Sequence, residues 1–217
     1  MSKKTIFYIA FFSVLVVAFY FTLKKVIPGY AEQSFQVLND VRPFRFTNQH
    51  GQVISDREVE GKVYVAEYFF TTCTSICPIL NKNMKRIYEK YKNEPDFMIL
   101  SHTCNPEADS VPRLKFYADS LGVATGNWQF LTGRKDSLYN AARVSYLLDD
   151  PKNNVENIND QFLHTQFFAL VDKNGQVRKK IYDGLKKKEL SELEKDIDVL
   201  LHERPSGKRF TGNLFVN

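Results

Sequence analysis

The feature that most narrows the folds open to this chain is a continuous stretch: VYVAEYFF at residues 63–70, then TTCTSICP, then LNKNMKRIYEKY. The first segment is β-branched and aromatic, with Glu67 as its sole charge. That composition predicts a strand covered on both faces, since a half-wet strand would alternate apolar and polar residues. Past the cysteines, Ile79, Leu80, Met84, Ile87, Tyr88 and Tyr91 recur at helical spacing, which predicts a helix with one buried face. A buried strand thus feeds a helix across a loop that carries two thiols.

The same rhythm repeats downstream. FMILSH reads as a second buried strand, CNPEADSVP as a loop, and RLKFYADSLG as a helix stopped by Gly122. Successive βα units imply neighbouring parallel strands. Upstream, VRPFRFTNQHGQVIS alternates around His50-Gly51 and predicts a β-hairpin. NWQFL follows as a short strand, SLYNAARVSYLL as a helix and DDPKNNVENINDQ as a polar connection. HTQFFALVDKNGQVRKKIYDG then reads as a hairpin turning at Asn174-Gly175. Leu190, Leu193, Ile197, Leu200 and Leu201 mark a last amphipathic helix. The expected fold is α/β and thioredoxin-like, a central mixed sheet with flanking helices and an N-terminal hairpin extension.

The first 25 residues stand apart. Lys3 and Lys4 precede an uncharged run from Thr5 to Leu23, which Lys24 and Lys25 close. Nineteen helical residues span roughly 28 Å, close to the roughly 30 Å hydrocarbon core of a bilayer. The run is longer than a signal peptide's apolar region, and no small-residue cleavage site is evident after it. It reads as one uncleaved transmembrane helix. No Arg-rich transit segment precedes it, so the expected location is a bacterial inner membrane, with the soluble part facing the periplasm. The expected domain limits are 1–25 for the anchor, 26–40 for a polar linker, 41–203 for the globular domain and 204–217 for a loose tail. The formal charge of +5 is concentrated in the anchor's lysines. The remainder carries 26 basic against 25 acidic residues, which removes the electrostatic case for binding nucleic acid.

Three cysteines, Cys73, Cys77 and Cys104, cannot all pair, so an exported domain keeps one free, metal-bound or reactive. Pro78 suits the first position of a helix, which puts Cys77 near the N-cap. There the free amides and the helix dipole are expected to lower the Cys77 pKa below the roughly 8.5 of a free thiol. Two thiolates make a soft site suited to Cu(I) and acceptable to zinc. A structural disulfide and a reversible redox pair remain open on the same residues. A third donor would come from His50, His102, His164, His202 or Cys104. His164 heads the strand segment TQFFALVD after the long polar connection, and its bland alternative is a hydrogen-bonded strand-end residue.

These features resemble the Sco/SenC family of copper proteins that serve cytochrome c oxidase assembly. The resemblance rests on the CxxxCP pattern Cys73 to Pro78, on WQFLTG at 128–133, and on His164, 87 residues after Cys77 and ahead of FALVDKNG. It spans about residues 40–203. It implies a copper chaperone that holds Cu(I) or Cu(II) through Cys73, Cys77 and His164. Such a protein delivers copper to, or keeps reduced, the cysteines of the binuclear copper site in oxidase subunit II. Another copper chaperone or a thiol reductase would be its further partner, and no catalytic residue is implied. One departure stands out: where the family has a V-D-P-E-R-D-T-like stretch, this chain has HTCNPEAD at 102–109. Asn105 replaces the acid and Cys104 is added, as an auxiliary ligand, a resolving thiol or a partly buried spectator.

Three alternatives use the same residues. A thiol peroxidase would share the TxxC core at Thr74 to Cys77, but Phe70 stands where its proline belongs. A thiol-disulfide oxidoreductase would carry CxxC and a proline before the strand that here follows His164 and Thr165. A structural zinc domain would use Cys73, Cys77, Cys104 and His164 and would need metal to fold.

Overall fold

The computed structural model describes residues 2–26, 35–150, 152, 163 and 165–205, in two units, Met1–Phe35 and Gln36–Asn217. In the first, α1 (Lys3–Val26) is a single helix without an acidic residue in its first turn. It is long and apolar enough to cross a membrane, a property that a signal sequence near the N-terminus shares.

In the second unit the strands are β1 (Val37–Asp40), β2 (Arg45–Asn48), β3 (Val53–Ser55), β4 (Val63–Phe69), β5 (Phe97–Thr103), β6 (Trp128–Thr132), β7 (Phe167–Val171) and β8 (Gln176–Asp183). The helices are α2 (Cys77–Tyr91), α3 (Val111–Ser120), α4 (Lys135–Asn140) and α5 (Lys187–His202). Among the described residues they build one eight-stranded sheet in the order β1-β8-β7-β4-β5-β6-β2-β3. All seven residues of β4 and all seven of β5 are buried, as the sequence pattern requires of central strands. The pair is parallel, from Val63 against Phe97 to Phe69 against Thr103, and β5 pairs parallel with β6. Both thiol-bearing and Asn105-bearing loops therefore leave the same end of the sheet.

Each face has its own cover. The odd residues of β4 (Val63, Val65, Glu67, Phe69) and the even ones (Tyr64, Ala66, Tyr68) point to opposite sides. On the first side, Phe69 stacks on Tyr117 of α3 at 5.3 Å between ring centroids, and Trp128 and Phe130 stack at 5.1 Å. There α2 is tied to α5 by Tyr91 Oη, which donates to the Glu194 carbonyl and to Asp198 at 2.7 Å each. On the second side, Tyr68 Oη donates to the Leu138 carbonyl of α4 at 2.6 Å. Each aliphatic side chain buried this fully contributes about 1.5–3 kcal/mol, so an acid at Val65 would break the centre of the sheet.

Two elements differ from the sequence expectation. Residues 37–40, at the end of the stretch read as linker, form β1 and pair antiparallel with β8. The expected helix SLYNAARVSYLL starts as α4 and continues as a π-helical turn from Ala141 to Ser145. The polar connection at 151 and 153–162, and the tail from 206, lie outside the described residues.

Candidate metal centre

The thiol loop is shaped by the strand ends that bracket it. The Cys104 N–H donates to the Phe69 carbonyl at 2.7 Å, and the Cys73 N–H closes a turn on the Phe70 carbonyl at 3.2 Å. α2 begins at Cys77, with Pro78 in its first turn, where a missing N–H leaves no intrahelical bond unmade. The Ile79 and Leu80 amides both bond the Ile76 carbonyl at 3.0 Å. The strand, the turn and the proline-started helix thus bring Cys73 and Cys77 together. All three cysteines are free thiols; Cys73 is half-buried, whereas Cys77 and Cys104 are buried.

The two thiols are not equivalent, and the lowered pKa expected for Cys77 is found at Cys73 instead. Burial acts to raise the Cys73 pKa. Hydrogen bonds from the Cys77 thiol and backbone, and from the Ser75 hydroxyl and backbone, outweigh it and lower the value. Burial, followed by the hydrogen bond to Cys73, pushes Cys77 up to about 12. The reason is directional. The Cys77 and Ser75 amides face the sulfur of Cys73, four residues before the first turn of α2. Cys77 starts the helix, but its side chain, 5% exposed, turns into the protein. Cys73 is therefore the thiol that carries negative charge most readily.

Beneath the pair lies a residue whose role sequence reasoning missed. Glu67 is buried in β4, 1% exposed. It accepts a hydrogen bond from Ser101 Oγ at 2.5 Å, and Ser101 Oγ accepts one from Trp128 Nε1 at 2.8 Å. Its other oxygen, Oε2, has no partner among the described residues. Burial raises its pKa to about 8 against the pull of Ser101. The signal was present as the lone charge in a fully apolar strand, a position acids almost never occupy without a partner.

The other candidate donors are dispersed. His102 is buried on the opposite face of the sheet, stacked on Tyr68 at 5.0 Å and edge-on to Phe46 at 5.4 Å. Its Nδ1 lies 3.3 Å from the Glu67 carbonyl, and burial lowers its pKa to about 4. Cys104 belongs to that same apolar cluster, and burial raises its pKa well above the ordinary value. His50 is exposed in the turn between β2 and β3. His202 is exposed at the end of α5, its Nδ1 2.7 Å from the Asp198 carbonyl. Among the described residues no group of three or more His, Cys, Asp or Glu could hold a metal. His164 lies outside the described residues. On one side of it, the buried Leu163 donates its N–H to Tyr139 Oη at 3.2 Å, and that hydroxyl donates to the Cys104 carbonyl at 2.8 Å. On the other, the Gln166 carbonyl accepts the Gly184 N–H at 2.9 Å. A cleft of about 760 Å³, lined by Arg42, Phe44, Arg57 and Asn140 among others, includes none of the thiols.

Comparison with known proteins matches residues 33–197 to the SCO1/SenC family model. A SCO1 protein homolog of Bacillus subtilis is 33% identical over 160 residues, covering 73% of this chain and 81% of that protein. BsSco, described as having a disulfide switch and as a member of the Sco family of cytochrome c oxidase assembly proteins, superposes with a TM-score of 0.66 at 30% identity. It covers 79% of this chain and 100% of its own. The copper-bound ScoI of Arabidopsis thaliana shares the fold, with a TM-score of 0.56 at 20% identity, covering 72% of this chain and 97% of its own.

Proposed function

Because the chain belongs to the SCO1/SenC family, we propose that it binds copper through Cys73, Cys77 and His164 and carries it to the binuclear site of cytochrome c oxidase subunit II. The observation that carries this reading is the pair of free thiols at the head of α2, one half-buried and primed for the thiolate form. Two such sulfurs are a soft donor set that suits Cu(I), and an added imidazole suits Cu(II) as well. A half-buried sulfur leaves the ion reachable by an acceptor, as a cargo must be. His164 is favoured as third donor because its neighbour Leu163 is tethered through Tyr139 to the Cys104 carbonyl, at the sheet end where the thiols sit. The assembly role of BsSco and the copper held by the plant protein agree with this reading. In it α1 is the anchor, and the globular unit works on the periplasmic side of a bacterial inner membrane.

The test is Cu(I) titration of the full chain in detergent, against a chromophoric chelator, beside His164→Ala and Cys73→Ser. One equivalent is expected for the parent chain, with both variants weaker by at least about tenfold. His164→Ala binding as tightly as the parent would refute the three-donor site. A second reading, thiol-disulfide exchange through Cys73 and Cys77, is favoured by the unequal thiols, since one is set to attack and the other to follow. Ready reduction of a disulfide substrate by a chain without copper affinity would select it.

A further inference from the structure

Asp109 is fully buried, and its contacts are directed at the thiol loop rather than at its own helix. The residue sits just before Ser110, the N-cap of α3. Its Oδ2 accepts the Thr71 N–H at 3.2 Å, its Oδ1 accepts the Thr71 hydroxyl at 2.5 Å, and Oδ2 also accepts the Thr103 hydroxyl. Thr71 Oγ1 in turn accepts Arg113 Nε–H at 2.9 Å. Three donors, two from Thr71 in the thiol loop and one from Thr103 at the end of β5, thus converge on one carboxyl with 0% exposure. Thr71 is the second residue after β4 and the second before Cys73. It is the last point where side chains hold the chain before it turns to present that sulfur.

From this geometry we infer that Asp109 is a positioning residue for the thiol site, clamping Thr71 so that Cys73 stays over the head of α2. The inference rests on the proposed dithiol site but not on which cargo or substrate the site takes. A buried carboxylate bound by three donors is a stiff anchor, because freeing any one of them strands a polar group away from water. A group bonded directly to a metal ligand changes affinity by about 10–100-fold when lost; Asp109 reaches Cys73 only through Thr71, so its loss is expected at the low end of that range. With the clamp released, the Cys73 turn gains freedom. The dithiol arrangement in which Cys73 receives the amides is then less favoured relative to the disulfide.

The test uses the full chain in detergent with Asp109→Asn, Thr71→Val and Thr71→Ser. The metal-free protein is equilibrated with glutathione: two thiols at Cys73 and Cys77 and one oxidised glutathione yield one protein disulfide and two reduced glutathiones. Asp109→Asn and Thr71→Val should shift this equilibrium constant toward the disulfide by about tenfold, or about 30 mV. Thr71→Ser keeps the hydroxyl and should match the parent. Cu(I) affinity and the Cu(II)–thiolate absorption band, measured in parallel, should move in the first two variants and not in Thr71→Ser. If Thr71→Val lowers the thermal midpoint while leaving the thiol equilibrium within twofold of the parent, Asp109 is merely structural and the inference is overturned. Thr71→Val decides the matter even where Asp109→Asn does not fold. A parent chain without copper affinity would overturn the proposed cargo while leaving the glutathione measurement to judge Asp109.

Discussion

Replacing Glu67 with glutamine should remove a specific pH dependence from the stability of the fold. Burial raises the Glu67 pKa from 4.5 to about 8, so between these values the folded chain holds a proton that the unfolded chain has released. Stability therefore falls as pH rises through that window and levels off above about 8. At about 1.4 kcal/mol per pKa unit the full span is about 5 kcal/mol, an upper bound because a charged site draws in water. His102 acts with the opposite sign: burial lowers its pKa from 6.5 to about 4, so stability rises with pH between about 4 and 6.5. The two nearly cancel from about 4.5 to 6.5, and Glu67 alone governs from about 6.5 to 8, where the decline should be about 2 kcal/mol. Cys73, lowered by its hydrogen bonds, would add stability as pH rises. The comparison therefore belongs in a Cys73→Ser, Cys77→Ser background, which also excludes disulfides and metal. Urea unfolding can be followed through Trp128, the chain's single tryptophan and fully buried. The glutamate protein should lose about 2 kcal/mol between pH 6.5 and 8, while Glu67→Gln should stay flat. Parallel profiles for the two proteins would refute the assignment of that pH dependence to Glu67.

Two further outcomes follow from packing. A Cβ at Gly184 would meet Phe168 at 2.5 Å and Leu80 at 2.8 Å, so Gly184→Ala should lower stability by about 1–3 kcal/mol. An unchanged urea midpoint would show that α2 yields there without strain. Cys104→Ser should leave copper stoichiometry at the parent value, because Cys104 packs in the cluster on the face opposite Glu67. Loss of an equivalent in the titration would make it a ligand.

What the sequence revealed and what it hid divide by the range over which each residue acts. The strands β4 and β5, the helix α2 and the hairpin at Asn174-Gly175 are written in local periodicity and turn chemistry, so they are legible without a partner in view. The strand β1 is four residues long and half polar. It exists because Val37–Asp40 finds β8, about 140 residues away, and because the Asn39 amide reaches the Val144 and Ser145 carbonyls at 2.5 and 2.9 Å. No window around Asn39 contains that information. The expectation for Cys77 failed for a different reason: a rule about helix N-termini was applied to the residue that occupies one, although the field of the amides acts on whatever lies in front of them. Asp109 shows both limits together. It reads as one more polar residue in CNPEAD, and its chemistry appears only when parallel pairing of β4 with β5 brings Thr71 and Thr103 to a common end. By the same logic, the proposed donors are legible as types, soft sulfur and imidazole, whereas the carboxyl that holds Thr71 is not. Parallel pairing puts consecutive βα loops side by side, so the groups that steady one loop will sit on its neighbour, some 35–40 residues further along the chain, as Asp109 does for Thr71.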